Sequence, residues 1–144
     1  MKKLFCLGIF ILFLSSCSPR FKSGKNDERI WTFTYIKAID NQKNKLKKYL
    51  EKNWFVMDSI AVKQKLIAQY ELYENQSTDS LAKWDYVVAV EYFNTKGYEG
   101  IADKFEEIRK KHKTVKIEEL GFKELGKVVG SETITKKTYL RKKS

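Results

Sequence analysis

The pattern of hydrophobic and polar residues predicts four strands and two helices in the order β-α-β-β-α-β. Residues Ile30 to Ala38 alternate aromatic side chains with threonines, which is the period of a strand with two different faces. Two further apolar runs, Leu66 to Glu74 and Trp84 to Phe93, are separated by a polar stretch and predict an antiparallel hairpin. A last strand is predicted from Gly126 to Ile134.

The two segments between these strands have helical spacing. After Asp40 or Asn41, either of which is a candidate N-cap, apolar residues recur at intervals of three and four as far as position 60 or 61. We expect this first helix to kink or restart near Asn53 or Ser59. The apolar positions of the second helix are Tyr98, Ile101, Phe105, Ile108 and His112.

This order of elements is the ferredoxin-like one, an α+β fold in which an antiparallel sheet carries two helices on one face. The third predicted strand is apolar on both of its faces, with Tyr86 and Val88 on one and Val87 and Ala89 on the other. A sheet that is apolar on both faces needs a cover on both. Because the chain has helices for only one face, the sequence predicts a homodimer whose two sheets pair into an α+β barrel.

The N-terminus has the three parts of a secretory signal. Two lysines precede an uncharged apolar run, Leu4 to Leu14, which is too short to span a bilayer. The next residues complete Leu14-Ser15-Ser16-Cys17, which resembles a bacterial lipobox; the alternative is an ordinary signal peptide followed by a chance cysteine. The resemblance implies cleavage before Cys17 and a lipid on its sulfur, which would anchor the protein to a membrane.

The predicted organisation follows from this leader. Residues 1–16 are the signal peptide, 17–29 a lipidated N-terminus and flexible tether, 30–135 the ferredoxin-like domain, and 136–144 a basic tail. The lipobox implies a location in the bacterial cell envelope, at the outer membrane or on the periplasmic face. Cleavage removes Cys6, and lipid occupies Cys17, so no thiol is left for catalysis, metal binding or a disulfide.

The predicted location limits which partners the positive charge suggests. The whole chain has a net charge of +11, and loss of Lys2 and Lys3 with the leader reduces it to +9. Such a charge is typical of nucleic-acid binding, but an exported lipoprotein does not normally meet nucleic acid, and none is predicted as a partner. We expect the charge to face anionic headgroups or other envelope polyanions, or to maintain solubility.

The domain resembles the dimeric α+β barrel proteins, in particular the antibiotic-biosynthesis-monooxygenase-like group. The resemblance rests on the order of elements, on the long apolar strand through Val88 to Tyr92, on the aromatic Tyr98 after a polar turn, and on residues Gly126 to Ser131. It implies a barrel of two sheets with a cavity. Members of the group include cofactor-free monooxygenases, haem-degrading enzymes, isomerases and proteins with no known activity.

The haem-degrading members are not matched at the positions that matter. They use an asparagine on the first strand, a tryptophan that ends the third, and a histidine in the second helix. Here the first strand has no asparagine, Tyr92 stands in place of the tryptophan, Ala102 lies near the histidine position, and His112 comes too late. We therefore predict no cofactor.

Two neighbouring residues compete for the predicted ligand cavity. Glu91 lies in an apolar run where an unpaired carboxylate is costly to bury, so the residue pattern points it into the cavity. The family resemblance points Tyr92 there instead, and adjacent residues of a regular strand face opposite ways. Asp85 shares the face of Glu91 at a distance of about 20 Å, which is too far for a carboxylate pair. Each of the two carboxylates alone is a candidate cavity group with a raised pKa. The alternative for each is an ion pair with a neighbouring lysine, or exposure to solvent at the end of the strand.

The other candidates have a functional and a structural interpretation each. Trp31, Tyr35 and Trp54 line a ligand pocket or pack in the core. His112, the single histidine, is a general base or an axial ligand, or it is a cation at a helix C-terminus. One histidine without a usable cysteine predicts no metal site.

Two functions are compatible with these features. The first is binding of a small apolar or aromatic ligand in the barrel, with cofactor-independent monooxygenase chemistry as the activity if there is one. The alternative is a non-catalytic envelope protein that docks a protein or a polyanionic partner. The absence of a catalytic motif from the sequence favours a protein that is not an enzyme.

Overall fold

The computed structural model describes residues 28–77 and 81–135. Outside these ranges lie the predicted signal peptide, the predicted lipidation site Cys17 and the basic tail. Of the predicted tether, only residues 28 and 29 are described. The elements in chain order are β1 (Ile30–Ala38), α1 (Lys43–Lys52), α2 (Trp54–Lys63), β2 (Gln69–Glu74), β3 (Tyr86–Tyr92), a 3₁₀ turn (Gly97–Gly100), α3 (Ala102–Lys111), α4 (Phe122–Leu125) and β4 (Gly126–Thr135).

The four strands form one antiparallel sheet in the order β2-β3-β1-β4. This order, with the helices inserted between the strands as the sequence predicts, is consistent with a ferredoxin-like α+β fold. β1 lies inside the sheet, where Phe33 pairs with Ala89 of β3 on one side and with Glu132 of β4 on the other. The described part of the chain contains no helix with both the length and the apolar character needed to cross a bilayer.

The strands match the pattern closely, and the differences have local causes. β1 has the predicted bounds, whereas β2 begins at Gln69 rather than at Leu66. Leu66 and Ile67 are buried, but they belong to the loop that enters the strand. Their apolar character reports burial, which periodicity alone does not distinguish from strand pairing.

The first helical segment breaks at Asn53, one of the two positions predicted for a kink or restart. α1 ends at Lys52 and α2 begins at Trp54, with Asn53 between them at φ −121° and ψ −68°. The predicted N-caps Asp40 and Asn41 are wrong. Both have left-handed backbone angles, φ 49° and 57°, because they form the turn that precedes the helix.

Two short helical elements were not predicted by the pattern. A 3₁₀ turn precedes α3, and Gly97 enters it at φ 58°, a conformation that favours glycine. A β-carbon at this position would lie 3.0 Å from Cδ1 of Ile30. The single turn of α4 lies in a stretch of weak periodicity, and Glu124 accepts a hydrogen bond from the Gly121 amide there.

The sheet has one covered face and one open face. On β1 and β3 the residues that face the helices include Ile36, Tyr86 and Val88, and they form the core with Leu46 and Leu50 of α1. The alternate residues of the same strands face the other way. No helix among the described residues covers that second face, which we call the open face.

Candidate functional site

A cavity of about 440 Å³ lies between the covered face of the sheet and the helices α2 and α3. This volume falls in the range of small-molecule sites. The sheet contributes Thr34, Val88, Val90 and Tyr92 to its lining, and Ile67 comes from the loop before β2. The helical side contributes Trp54, Met57, Asp58, Tyr98, Phe105 and Arg109.

The spacing of α2 explains how one carboxylate comes to lie in this cavity. Trp54, Met57, Asp58 and Ala61 follow one another at intervals of three, one and three residues, so they share one face of the helix. Ala61 is fully buried, and Trp54 and Met57 line the cavity. Asp58 is therefore a charged residue inside the apolar stripe.

Asp58 is buried without a counter-ion. It is 7% exposed, and no hydrogen bond or ion pair joins its carboxylate to another residue of the described ranges. Burial disfavours the charged form and raises the pKa of Asp58 from 3.8 to about 7. The carboxyl group therefore exchanges a proton near neutral pH, which an exposed aspartate does not do.

Two tyrosines stand near this carboxyl group. Tyr92 is 7% exposed, and burial, together with the charge of Asp58, raises the pKa of its phenol to about 12. Its hydroxyl remains protonated and is able to donate a hydrogen bond at physiological pH. Tyr98 lies further out, with 40% of its surface exposed, and its hydroxyl accepts a hydrogen bond of 3.2 Å from Arg109.

Arg109 marks the mouth of the cavity. About half of its side chain is exposed, and its guanidinium contacts the carboxylate of Glu106 at 2.6 Å. It also lies 5.7 Å from the ring centre of Phe105, which packs edge-on against Tyr98 at 5.8 Å. The cation is thus held by groups of its own helix and of the 3₁₀ turn, with no contact to Asp58.

The structure separates the six residues that the sequence offered for a ligand pocket. Tyr92 and Trp54 line the cavity. Trp31, Tyr35 and Glu91 lie on the open face, because they alternate with the covered positions of their strands. Glu91 forms an ion pair with Arg29 at 3.5 Å, which accounts for its place in an apolar run.

His112 lies away from the cavity, at the end of α3. Its Nε2 is 3.0 Å from Oδ1 of Asn53, and the same oxygen accepts a hydrogen bond of 2.8 Å from the Val115 amide. The Asn53 side chain donates to the carbonyl groups of Tyr49 and Val115, each at 2.9 Å. This network ties the break between α1 and α2 to the segment after α3, so the contacts of His112 are structural.

The open face carries its own aromatic layer. Trp31 and Phe33 stack with ring centres 6.0 Å apart, and Tyr35 lies 5.9 Å from Trp84. Tyr35 also donates a hydrogen bond to Glu132. At the end of this face Asp85 binds the Ala38 amide at 2.8 Å and the Lys37 ammonium at 3.3 Å. Of the alternatives that the sequence leaves open for Asp85, the structure has the ion pair with a neighbouring lysine.

The cavity offers polar groups of few kinds within apolar walls. The Asp58 carboxyl group is able to accept hydrogen bonds or to take up and release a proton. The Tyr92 hydroxyl is able to donate a hydrogen bond. No group of three or more histidine, cysteine or acidic residues within residues 28–77 and 81–135 is arranged to hold a metal ion.

Asp58 is not among the site residues predicted from the sequence. Its signal was present, because a carboxylate lies four residues after Trp54 and three before Ala61, on a face that is otherwise apolar. A charged residue on the apolar face of a helix is the sequence signal that indicates such a buried group.

Comparison with known proteins supports the fold and nothing finer. No family model matches the chain, and no curated protein matches it. Among solved structures the chain is similar to the crystal structure of HapK from Hahella chejuensis, with a TM-score of 0.52 and 9% sequence identity. The similarity covers 80% of this chain and 99% of that chain. At this identity it shows that both share a small α+β fold.

Proposed function

We propose that this protein binds a small apolar or aromatic molecule in the cavity between the sheet and α2 and α3. The observation that carries the proposal is a cavity of about 440 Å³ with aromatic walls and a buried carboxyl group that has no partner within the described residues. Protein interiors are close-packed, and buried carboxylates are costly unless paired. A ligand that fills the space and bonds to Asp58 removes both costs.

The proposal is tested by filling the cavity. The neutral dye N-phenyl-1-naphthylamine fluoresces in apolar surroundings and serves as the probe. We expect the chain from Ser18 onward to bind it and Val90→Trp to weaken binding by about tenfold or more, equivalent to about 1.4 kcal/mol. Val90 lines the cavity, and the larger side chain occupies ligand space.

The matched control is Val128→Trp. Val128 lies on β4 and is 49% exposed, outside the cavity lining. The variant Val128→Trp introduces the same tryptophan side chain but leaves the cavity unfilled. Equal dye affinity in the wild type and both variants contradicts binding in this cavity, and so does the absence of any dye binding.

The open face supports a second part of the proposal, a homodimer formed through the sheet. Trp31 and Phe33 are half-buried and share the open face with Val87 and Ala89, and no helix in the described ranges lies above them. β4 adds a long exposed edge beside this layer, with Ile134 47% exposed. A second copy of the same apolar face, packed sheet on sheet, would bury these groups.

The N-terminal motif supports an envelope location, and we propose that the protein is anchored there by lipid on Cys17. The support is the order of a positive start, an apolar run and Leu14-Ser15-Ser16-Cys17. The resemblance to the antibiotic-biosynthesis-monooxygenase-like group is part of the same proposal, because the sheet order of the fold is compatible with it.

Labelling of cells with radioactive palmitate tests the anchor. We expect the wild-type chain to take up label and to sediment with membranes, whereas Cys17→Ala takes up none, because the acceptor sulfur is missing. Cys6→Ala is the control, since Cys6 lies in the leader and is removed. Label that persists in Cys17→Ala contradicts the assignment.

A further inference from the structure

The charge balance inside the cavity is unequal, and this constrains the ligand. Asp58 is the one acidic residue of the lining and Arg109 the one basic residue. Arg109 is already paired with Glu106 and with Tyr98 at the mouth. Asp58 has no such partner in the described chain. A ligand that enters an ionised site therefore meets an uncompensated negative charge in the interior.

The walls around that charge are suited to a cation. Four aromatic residues line the cavity: Trp54, Tyr92, Tyr98 and Phe105. The faces of such rings carry partial negative charge and attract organic cations, most strongly where water is excluded. A cavity lined by both a buried carboxylate and aromatic rings offers an ammonium group a counter-ion and a favourable surface.

The neutral groups of the site agree with this arrangement. Thr34 and the Tyr92 hydroxyl are able to accept or donate hydrogen bonds at the cavity wall. Met57, Ile67, Val88 and Val90 supply apolar surface for the rest of a ligand. The lining therefore combines the Asp58 carboxyl group and a few other polar groups with apolar surface.

We propose that the ligand of this cavity is an organic cation, a protonated amine attached to a small aromatic or aliphatic body. The inference rests on the proposed function, since it names the ligand class of the same cavity. The ammonium group donates hydrogen bonds to Asp58 and lies against the aromatic walls, while the apolar body contacts the sheet. Arg109 at the mouth disfavours a second positive group there, so a monoamine fits better than a diamine.

The test uses three naphthalene probes of similar size that differ in charge: 1-naphthylmethylamine, 1-naphthalenemethanol and 1-naphthoate. Binding to the chain from Ser18 onward, which contains every described residue, is measured by titration calorimetry at pH 8. We expect the amine to bind at least about tenfold more tightly than the alcohol, and the carboxylate to bind most weakly.

The variant Asp58→Asn tests the contribution of the carboxylate charge independently of the shape of the cavity. The amide keeps the size of the side chain and removes its charge. We expect the preference for the amine over the alcohol to fall to within about twofold in this variant, with alcohol binding retained. Asp40→Asn is the control, because Asp40 is exposed and its left-handed backbone angle suits asparagine. It should leave all three affinities unchanged.

The pH dependence gives a second readout. The titratable and charged groups that line the cavity with Asp58 are Tyr92 from β3, Tyr98 from the 3₁₀ turn and Arg109 from α3. The amine should bind more weakly as the pH falls below about 7, because Asp58 is then protonated, while alcohol binding stays constant.

The outcomes distinguish the inference from the function beneath it. Equal affinity for amine and alcohol, or an amine preference that survives Asp58→Asn, overturns the organic cation while cavity binding stands. Tightest binding of the carboxylate assigns the site to anions through Arg109 and also overturns it. Failure of all three probes together with the neutral dye removes the proposed function itself.

Discussion

Asp58→Asn is expected to stabilise the protein by about 4 kcal/mol at pH 8 and by less than about 1 kcal/mol at pH 4. The pKa of Asp58 is about 7 in the folded protein and 3.8 in a solvated chain. Each unit of difference corresponds to 1.36 kcal/mol. Because the folded state keeps a proton that the unfolded state releases, the free energy of unfolding falls as pH rises from about 4 to about 7.

Urea unfolding across this pH range is the measurement. The free energy of unfolding of the wild type should fall between pH 4 and 7. Above pH 7 the Asp58 carboxyl should change it little further. The variant should not show this fall. Asp40→Asn, which removes an exposed carboxylate, should follow the wild type within about 0.5 kcal/mol. If Asp58→Asn destabilises the protein at pH 8, the Asp58 carboxylate is stabilised by a partner in solution. That result would contradict the burial of Asp58 as an unpaired charge.

Phe33→Lys is expected to weaken the proposed dimer by at least 100-fold, equivalent to about 2.7 kcal/mol. Phe33 lies at the centre of the open face, on the strand that has neighbours on both sides. A lysine there would bring a charge into an apolar sheet-to-sheet contact, where desolvation without a partner is costly. In the monomer the same lysine stays half-exposed beside Glu132, so the fold should tolerate it.

Sedimentation equilibrium of the chain from Ser18 onward measures this change. Val56→Lys is the matched control, since Val56 is 39% exposed on α2 and lies on the helical side of the molecule. It should leave the dimer intact. A wild type that remains monomeric at all concentrations contradicts the dimer and leaves the open face to a different protein partner, which was the alternative that the sequence allowed.

The sequence predicted the strands well because their alternation is a local property. In β1 each aromatic residue is separated from the next by a threonine, and the structure places the two sets on opposite faces. The helix break was also visible, since Asn53 interrupts an apolar stripe. The hydrogen bonds that hold it there reach His112 and Val115, about 60 residues away, and no local pattern reveals such partners.

The site was harder to predict because it depends on which face of the sheet encloses space. The alternation separates Glu91 from Tyr92 but does not say which of them meets the helices. That choice is made by tertiary packing, which places Tyr92 under α2 and α3 and leaves Glu91 with Arg29 on the open face. Asp58 escaped notice for a related reason, since a single carboxylate in a helix is usually solvated.

The most direct test of cavity binding maps a bound probe onto the two faces of one strand. Methyl-labelled protein is titrated with 1-naphthalenemethanol, and chemical-shift changes are compared between valines of β3. We expect changes at Val88 and Val90, which line the cavity, and at Met57, which lines it from α2, with Val87 on the open face unaffected. Changes at Val87 alone, or none at any of these methyl groups, would contradict a ligand site between the sheet and the helices.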